Sequence, residues 1–281
     1  MKKLTQVNNT FANLDLLMPH IPILTYHHVL PEDEVTNRMD CIVSLDNFKK
    51  QMQYLKQNGY RCLNLTELFN HPVIEFPREK RAFALTFDDG YDDFYKWAFP
   101  VLNEHGFTAT VFLVTDNVDE YSNWQGDEDS SMLTWKHIRE LNSNGISFGS
   151  HTCTHAYLPY LTEDEAWHEI YASREILEMK LNHECTLFAY PFGESTPGLQ
   201  RLVQNAGYKA ALGARTGKPG LYNWWRNAGT PNNTLLSFSF KLTWYYNFYH
   251  KARGWLKEET SLGHFLRRIK RRWLSPAAQP M

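Results

Sequence analysis

Ala82-Phe83-Ala84-Leu85-Thr86-Phe87-Asp88-Asp89-Gly90 is a mostly apolar run that leads straight into two adjacent carboxylates and a glycine. A short apolar run without polar alternation suits a strand buried on both faces, as in a parallel sheet covered by helices. Within a strand neighbouring side chains face opposite ways, but at its end a glycine lets the backbone turn, so both acids can face one cleft. In a parallel α/β fold that end is where ligands sit.

Working outward, apolar runs at 21–26, 108–114, 146–150 and 186–190 predict further strands. Between them, Asn58-Gly59-Tyr60, His105-Gly106-Phe107, Asn144-Gly145-Ile146 and Ala206-Gly207-Tyr208 each read as a helix C-cap turning into a strand. One helix is expected over 46–58, with Phe48, Met52 and Leu55 on one face. Another opens at Thr162, which forms a capping box with Glu165, and runs for about five turns. About seven such strands favour a closed or nearly closed βα barrel over an open doubly wound sheet. No glycine-rich phosphate loop is present. The polar, acidic segment 116–133 reads as a loop at the rim of the cleft.

The chain of 281 residues is 43% hydrophobic and 21% charged, which excludes disorder as a whole-chain reading. Its charge is uneven: residues 251–281 hold eight Lys or Arg against two acids, leaving 21 against 29 before them. An acidic body excludes a nucleic-acid binder, which needs positive charge along a groove. No apolar run reaches the length of a membrane span, and Asn and Asp interrupt the N-terminal stretch, so no signal peptide is read. Cys41, Cys62, Cys153 and Cys185 lack the spacing of a zinc ribbon or a disulfide framework. A cytoplasmic protein is expected.

Two adjacent carboxylates should not both sit charged in a cleft without a cation. Imidazoles are at hand in His151-Thr152-Cys153-Thr154-His155, which follows the strand at 146–150 and so lies at the same end of the sheet. Asp89, His151 and His155 would form a two-His, one-carboxylate set with open positions for water and substrate. Cys153 is the rival ligand; it is assigned to packing, because a thiolate would close the site.

TFDDG, HTCTH and the later FAYPFG together resemble the motifs of the polysaccharide deacetylase family, carbohydrate esterase family 4, over residues 21–228. The resemblance implies an α/β fold, a distorted (β/α)7 barrel, at 21–235, between an N-terminal extension at 1–20 and a helical, aromatic and basic extension at 236–281. It implies a hydrolase that removes N-acetyl groups from an amino-sugar glycan, with one divalent ion, Zn²⁺ or alternatively Co²⁺, Ni²⁺ or Mn²⁺, held by Asp89, His151 and His155. Asp88 takes the place of the general base, and a backbone N–H near Phe192 that of an oxyanion donor. Tyr190, Phe192 and Trp225 are the sugar-binding candidates, with Trp135 and Trp224 as further aromatic faces.

Two departures from the family pattern carry expectations of their own. Ala189, Tyr190, Pro191 and Phe192 stand where the family has Arg-x-Pro-aromatic, so the Arg that orients the base is missing. Arg226 is expected to return from another strand and pair with Asp88. The family's C-terminal Leu-x-x-His is also missing, whereas Leu24-Thr25-Tyr26-His27 fits that pattern at the front. This resembles the circularly permuted branch similar to poly-N-acetylglucosamine deacetylases and makes His27 the acid candidate, with His28 as fallback.

In the tail, Phe265, Leu266, Ile269 and Trp273 share one helical face with five Lys or Arg around them. A peripheral contact of 262–274 with an anionic membrane is expected, which suits a lipid-linked glycan at the cytoplasmic face. A terminal helix packed on the barrel is the alternative. Two other functions fit the same residues: a carbohydrate-binding protein that has lost turnover, and a hydrolase of acetyl esters or non-sugar amides.

Overall fold

The computed structural model describes residues 21–35, 41–70, 81–124, 127–230, 234–243 and 245–246. In chain order the elements are β1 (Ile23–Tyr26), β2 (His28–Leu30), β3 (Ile42–Ser44), α1 (Leu45–Gln57), β4 (Arg61–Cys62), α2 (Leu65–Asn70) and β5 (Ala82–Phe87). Then follow α3 (Phe99–His105), β6 (Thr110–Leu113), β7 (Tyr121–Trp124), β8 (Asp127–Ser131), α4 (Trp135–Ser143), β9 (Ser147–Ser150) and α5 (Glu163–Leu181). The last are β10 (Leu187–Ala189), α6 (Pro197–Asn205), β11 (Ala210–Gly213), β12 (Trp224–Trp225), β13 (Asn227–Ala228) and α7 (Leu235–Lys241).

The strands join in the order β12-β11-β10-β9-β6-β5-β1-β13, every pair parallel. Its two ends, β12 and β13, are separated only by Arg226. They are halves of one strand: Trp224 pairs with Leu212 on one side, and Ala228 pairs with Thr25 on the other. These eight strand segments therefore make a nearly closed barrel with seven positions, and Arg226 stands at its seam.

Local signals explain the elements. The hydroxyl of Ser44 accepts from the N–H of Asn47 to start α1, and both halves of the Thr162–Glu165 capping box are formed at the 19-residue α5. Gly59, Gly106, Gly145 and Gly207 all take left-handed φ, at 67°, 66°, 87° and 92°, where each helix turns toward the next strand. The acidic segment 116–133 is more than a loop: it holds the antiparallel hairpin β7–β8. The two strands pair with each other, and the N–H of Leu133 on the carbonyl of Gly90 and that of Asp92 on the carbonyl of Ser131 tie down the hairpin's end, so the hairpin forms without an apolar alternation.

Alternation sorts the barrel side chains. Ile23, Ala84, Phe112, Leu187, Ala189, Ala210, Leu212 and Trp224 share a small buried cluster, each in phase with the inward side of its strand. The out-of-phase residues Leu24, Tyr26, Phe83, Leu85, Phe87, Val111, Leu113 and Phe188 join a larger cluster with the helices. Each fully buried Leu or Phe there contributes about 1.5–3 kcal/mol. Phe238 of α7 belongs to the larger cluster and packs edge-on against Tyr54 at 6.2 Å, so the expected boundary at 235/236 cuts a helix docked on the barrel. The stretch 262–274 and the N-terminal extension 1–20 lie outside the described residues.

Candidate active site

The inward phase carries past the strand ends. On β1 it runs Ile23, Thr25, His27; on β5, Ala84, Thr86, Asp88; on β9, Ser147, Gly149, His151; on the seam strand, Trp224, Arg226. Tyr26 pairs with Phe87 in register, and the N–H of Asp88 donates to the carbonyl of Tyr26, so His27 and Asp88 emerge side by side. Asp89 is out of phase, yet its φ of 72° turns it back into the cavity. Gly90 continues the turn at φ 87°, where a Cβ would lie 2.6 Å from a methyl of Leu113.

Arg226 donates to both carboxylate oxygens of Asp88, Nη1 to Oδ1 at 2.6 Å and Nη2 to Oδ2 at 2.7 Å, and also to Thr86 Oγ1 at 3.3 Å. Both partners are buried. Burial acts to raise the carboxyl pKa of Asp88, but the charge of Arg226, with His151 and His27, outweighs it and holds the group below its ordinary value. His27 Nε2 stands 3.9 Å from Asp88 Oδ2. Its pKa is lowered: burial, with the charge of Arg226, prevails over the attraction of Asp89 and Asp88.

Across from this pair, Asp89 Oδ1 lies 3.3 Å from Nε2 of His151 and 3.3 Å from Nε2 of His155. His151 Nδ1 is 2.8 Å from the carbonyl of Ala189, so it carries the proton and leaves Nε2 a lone pair aimed at a carboxylate oxygen. Asp89 Oδ1 is buried and accepts no hydrogen bond. A lone pair of His151 and an anionic oxygen that face each other, with the Nε2 of His155 beside them, call for a proton or a cation between them. Among the described residues, this trio alone groups its ligand atoms within 4.8 Å of one another. Ligand atoms about 2.1 Å from a shared tetrahedral ion stand about 3.4 Å apart, so the donor set fits a divalent metal. Burial opposes the charge of Asp89, but with protons rather than an ion between them the facing imidazoles outweigh it and hold its carboxyl well below the usual range. Cys153 is outside the trio; burial pushes its thiol up to about 12, where it stays protonated and packs.

The site carries backbone strain. Asp89, Thr152, His155 and Phe192 are non-glycine residues at φ 72°, 71°, 60° and 60°. Such positions cost about 1–3 kcal/mol each and persist only where the surroundings impose them.

The aromatic expectations divide. Phe192 is 56% exposed, with its ring 4.8 Å from that of His155. Tyr190 is corrected: it is 1% exposed, and its hydroxyl donates to the carbonyl of Tyr222, so it offers no face to a sugar. Trp224 is likewise core, edge-on to Phe69. Trp225 is out of phase with Trp224 and Arg226, so it is directed off the inner wall, with its indole N–H sealed in the protein. Trp135 opens α4 beneath the ammonium of Lys180. His28 pairs through Nδ1 with Asp93 at 2.6 Å, stacked on Tyr91, and leaves the cavity to His27. Missing from the sequence reading is Trp124, on the β7–β8 hairpin, whose ring stacks on His155 at 4.5 Å. A lone Trp in a polar segment was the only signal for it.

A sequence model of the family described as polysaccharide deacetylase matches residues 76–211. It omits β1 and the seam strand, which bring His27 and Arg226. The chain is similar to YxkH of Bacillus subtilis strain 168, 27% identical over 206 residues that cover 72% of this chain and 68% of that protein. It is also similar to the poly-β-1,6-N-acetyl-D-glucosamine N-deacetylase of Escherichia coli K12, 30% identical over 141 residues, 48% of this chain but 21% of that one. Among solved structures, the Streptococcus pyogenes deacetylase PplD in complex with acetate matches with a TM-score of 0.69 and 28% identity, over 79% of this chain and 98% of that one. With the motif acids and histidines gathered at one end of such a barrel, the chain carries a polysaccharide deacetylase domain of carbohydrate esterase family 4, a hydrolase fold for the amide C–N bond.

Proposed function

We propose that this chain is a metal-dependent N-deacetylase acting on an N-acetylated amino-sugar glycan. What supports the reading above all is the pairing of two buried units in one cavity: Asp88 clamped by Arg226, and the unbonded Oδ1 of Asp89 faced by two imidazoles. Asp89, His151 and His155 would hold the ion, with Zn²⁺ our choice and Co²⁺, Ni²⁺ and Mn²⁺ as rivals. A divalent ion there supplies Lewis acidity, which acidifies water and polarises an acetyl carbonyl.

Asp88 is the base that takes the proton from the attacking water. Arg226 keeps it ionised and fixes its plane, which replaces the Arg absent beside Tyr190. His27, beside Asp88, protonates the departing nitrogen, since an amine cannot leave as an anion. Its lowered pKa makes its imidazolium a stronger acid, while the protonated fraction falls as pH rises. Phe192 offers its backbone N–H to the oxyanion and its exposed ring to the sugar.

Acetate release from an N-acetylhexosamine oligomer, abolished by a chelator and restored by Zn²⁺ or Co²⁺, is the expected result. Release that a chelator leaves unchanged would sink the metal role. The finer proposal is that the glycan is lipid-linked at the cytoplasmic face of a membrane and that 262–274 meets the anionic surface there. Co-sedimentation with anionic vesicles should then be lost when Arg267, Arg268, Arg271 and Arg272 become Glu; equal sedimentation would remove it.

A further inference from the structure

The His151–His155 loop has two left-handed residues, Thr152 and His155, and no regular secondary structure, so something must hold it. Its carbonyls are held from the β6 side, where the N–H groups of Thr115 and Asp116 donate to Thr152 and Cys153 at 3.2 and 3.0 Å. The N–H of His151 donates to Leu113, and that of Thr152 to the hydroxyl of Ser150. Three further donors go to one side chain. Glu169, in the second turn of α5, accepts the N–H groups of Cys153 and Thr154 on Oε2 at 2.9 and 3.0 Å, and the hydroxyl of Thr154 on Oε1 at 2.7 Å.

Glu169 is 9% exposed and lies on the buried face of α5 with Ala166, Ile170, Ser173 and Leu177. A carboxylate is costly there unless it is fully hydrogen-bonded, and a helix face alone would take an apolar residue. The three hydrogen bonds that its carboxylate accepts come from Cys153 and Thr154 of the loop, so loop N–H and O–H dipoles meet its charge.

We propose that Glu169 is a positioning residue for the metal site. Its carboxylate locks the two central peptides of the loop, and so the separation and aim of the Nε2 atoms of His151 and His155. It acts on the ligands through the backbone, without touching ion or substrate. The inference rests on the metal reading above and adds to it the element that makes the trio rigid. Partners of this kind, one step removed from the ion, typically change metal affinity by about 10–100-fold.

The test is Zn²⁺ affinity by competition with a chromophoric chelator, with the Co²⁺ absorption spectrum as a report of geometry. Glu169→Ala should bind Zn²⁺ about 10–100-fold more weakly and show an altered Co²⁺ spectrum. Glu169→Gln, which still offers an acceptor and a donor of similar shape, should fall between it and the unsubstituted chain. Glu165→Ala, which breaks the cap of the same helix, should lower the melting temperature and leave Zn²⁺ affinity unchanged. The inference is overturned if Glu169→Ala, folded by circular dichroism, binds Zn²⁺ as the unsubstituted chain does, or if Glu165→Ala weakens binding as much. Should the Ala variant not fold, the Gln variant decides: unchanged affinity and spectrum overturn the idea. If the unsubstituted chain and His151→Ala bind Zn²⁺ alike, it is the metal reading that fails.

Discussion

The two halves of the cavity are built by different means. Asp88, Arg226 and His27 continue the inward phase of three neighbouring strands, on ordinary backbone, and their geometry follows from sheet register. Asp89 and His155 sit at left-handed φ, beside Thr152 and Phe192 in the same state, and their geometry follows from loop contacts. The proposed base and acid thus rest on regular structure, as does His151, whereas the other two proposed metal ligands rest on strained turns held in place from outside. The two halves should therefore fail differently when broken.

The largest effect should separate them most sharply. Asp88→Asn is expected to lower turnover by about 10³-fold while Zn²⁺ binding persists, whereas His151→Ala loses both. Metal analysis beside acetate release checks this; equal loss of metal in both variants would erase the distinction. His27→Gln should lower kcat by about 10²-fold, retain metal and abolish the descending limb of the pH–rate profile. A limb that survives would assign the acid elsewhere.

Arg226→Gln probes the strand-borne half through pH. Arg226 holds the pKa of Asp88 down, so its removal raises it; a base works only when ionised, so the ascending limb of kcat/KM must move to higher pH. The variant also leaves a buried carboxylate unpaired, a loss of about 3–5 kcal/mol by denaturant titration. An unmoved limb would show that the clamp is structural only. The smallest effect is expected at the rim: Trp124→Ala should raise KM by up to about tenfold, the scale of an aromatic contact of about 0.5–1.5 kcal/mol, with kcat little changed. A fall in metal affinity instead would place Trp124 in support of His155.

Much of the barrel was legible locally. The glycines that close helices into strands, the Thr162 cap and the apolar strand runs are short-range signals, and each lies where the pattern placed it. The hairpin at 121–131 was not legible, because a polar ribbon paired mainly with itself leaves no hydrophobic period to read. The aromatic faces were ambiguous for another reason. Tyr190 and Phe192 are two residues apart, yet one is sealed in the core and the other is 56% exposed, since Phe192 turns outward at φ 60°.

By itself the amino-acid sequence determined which residue types stand at strand ends, because the period of two and the turn-forming glycines depend on near neighbours alone. The acids after β5 and the histidines after β9 follow from that. Only the tertiary structure decided that Arg226 meets Asp88 from 138 positions away, that His27 rather than His28 faces the cavity and that Glu169 grips the histidine loop. Each of these depends on where the seam strand closes the ring and how α5 packs, which are sums over many weak contacts that no local stretch of chain encodes.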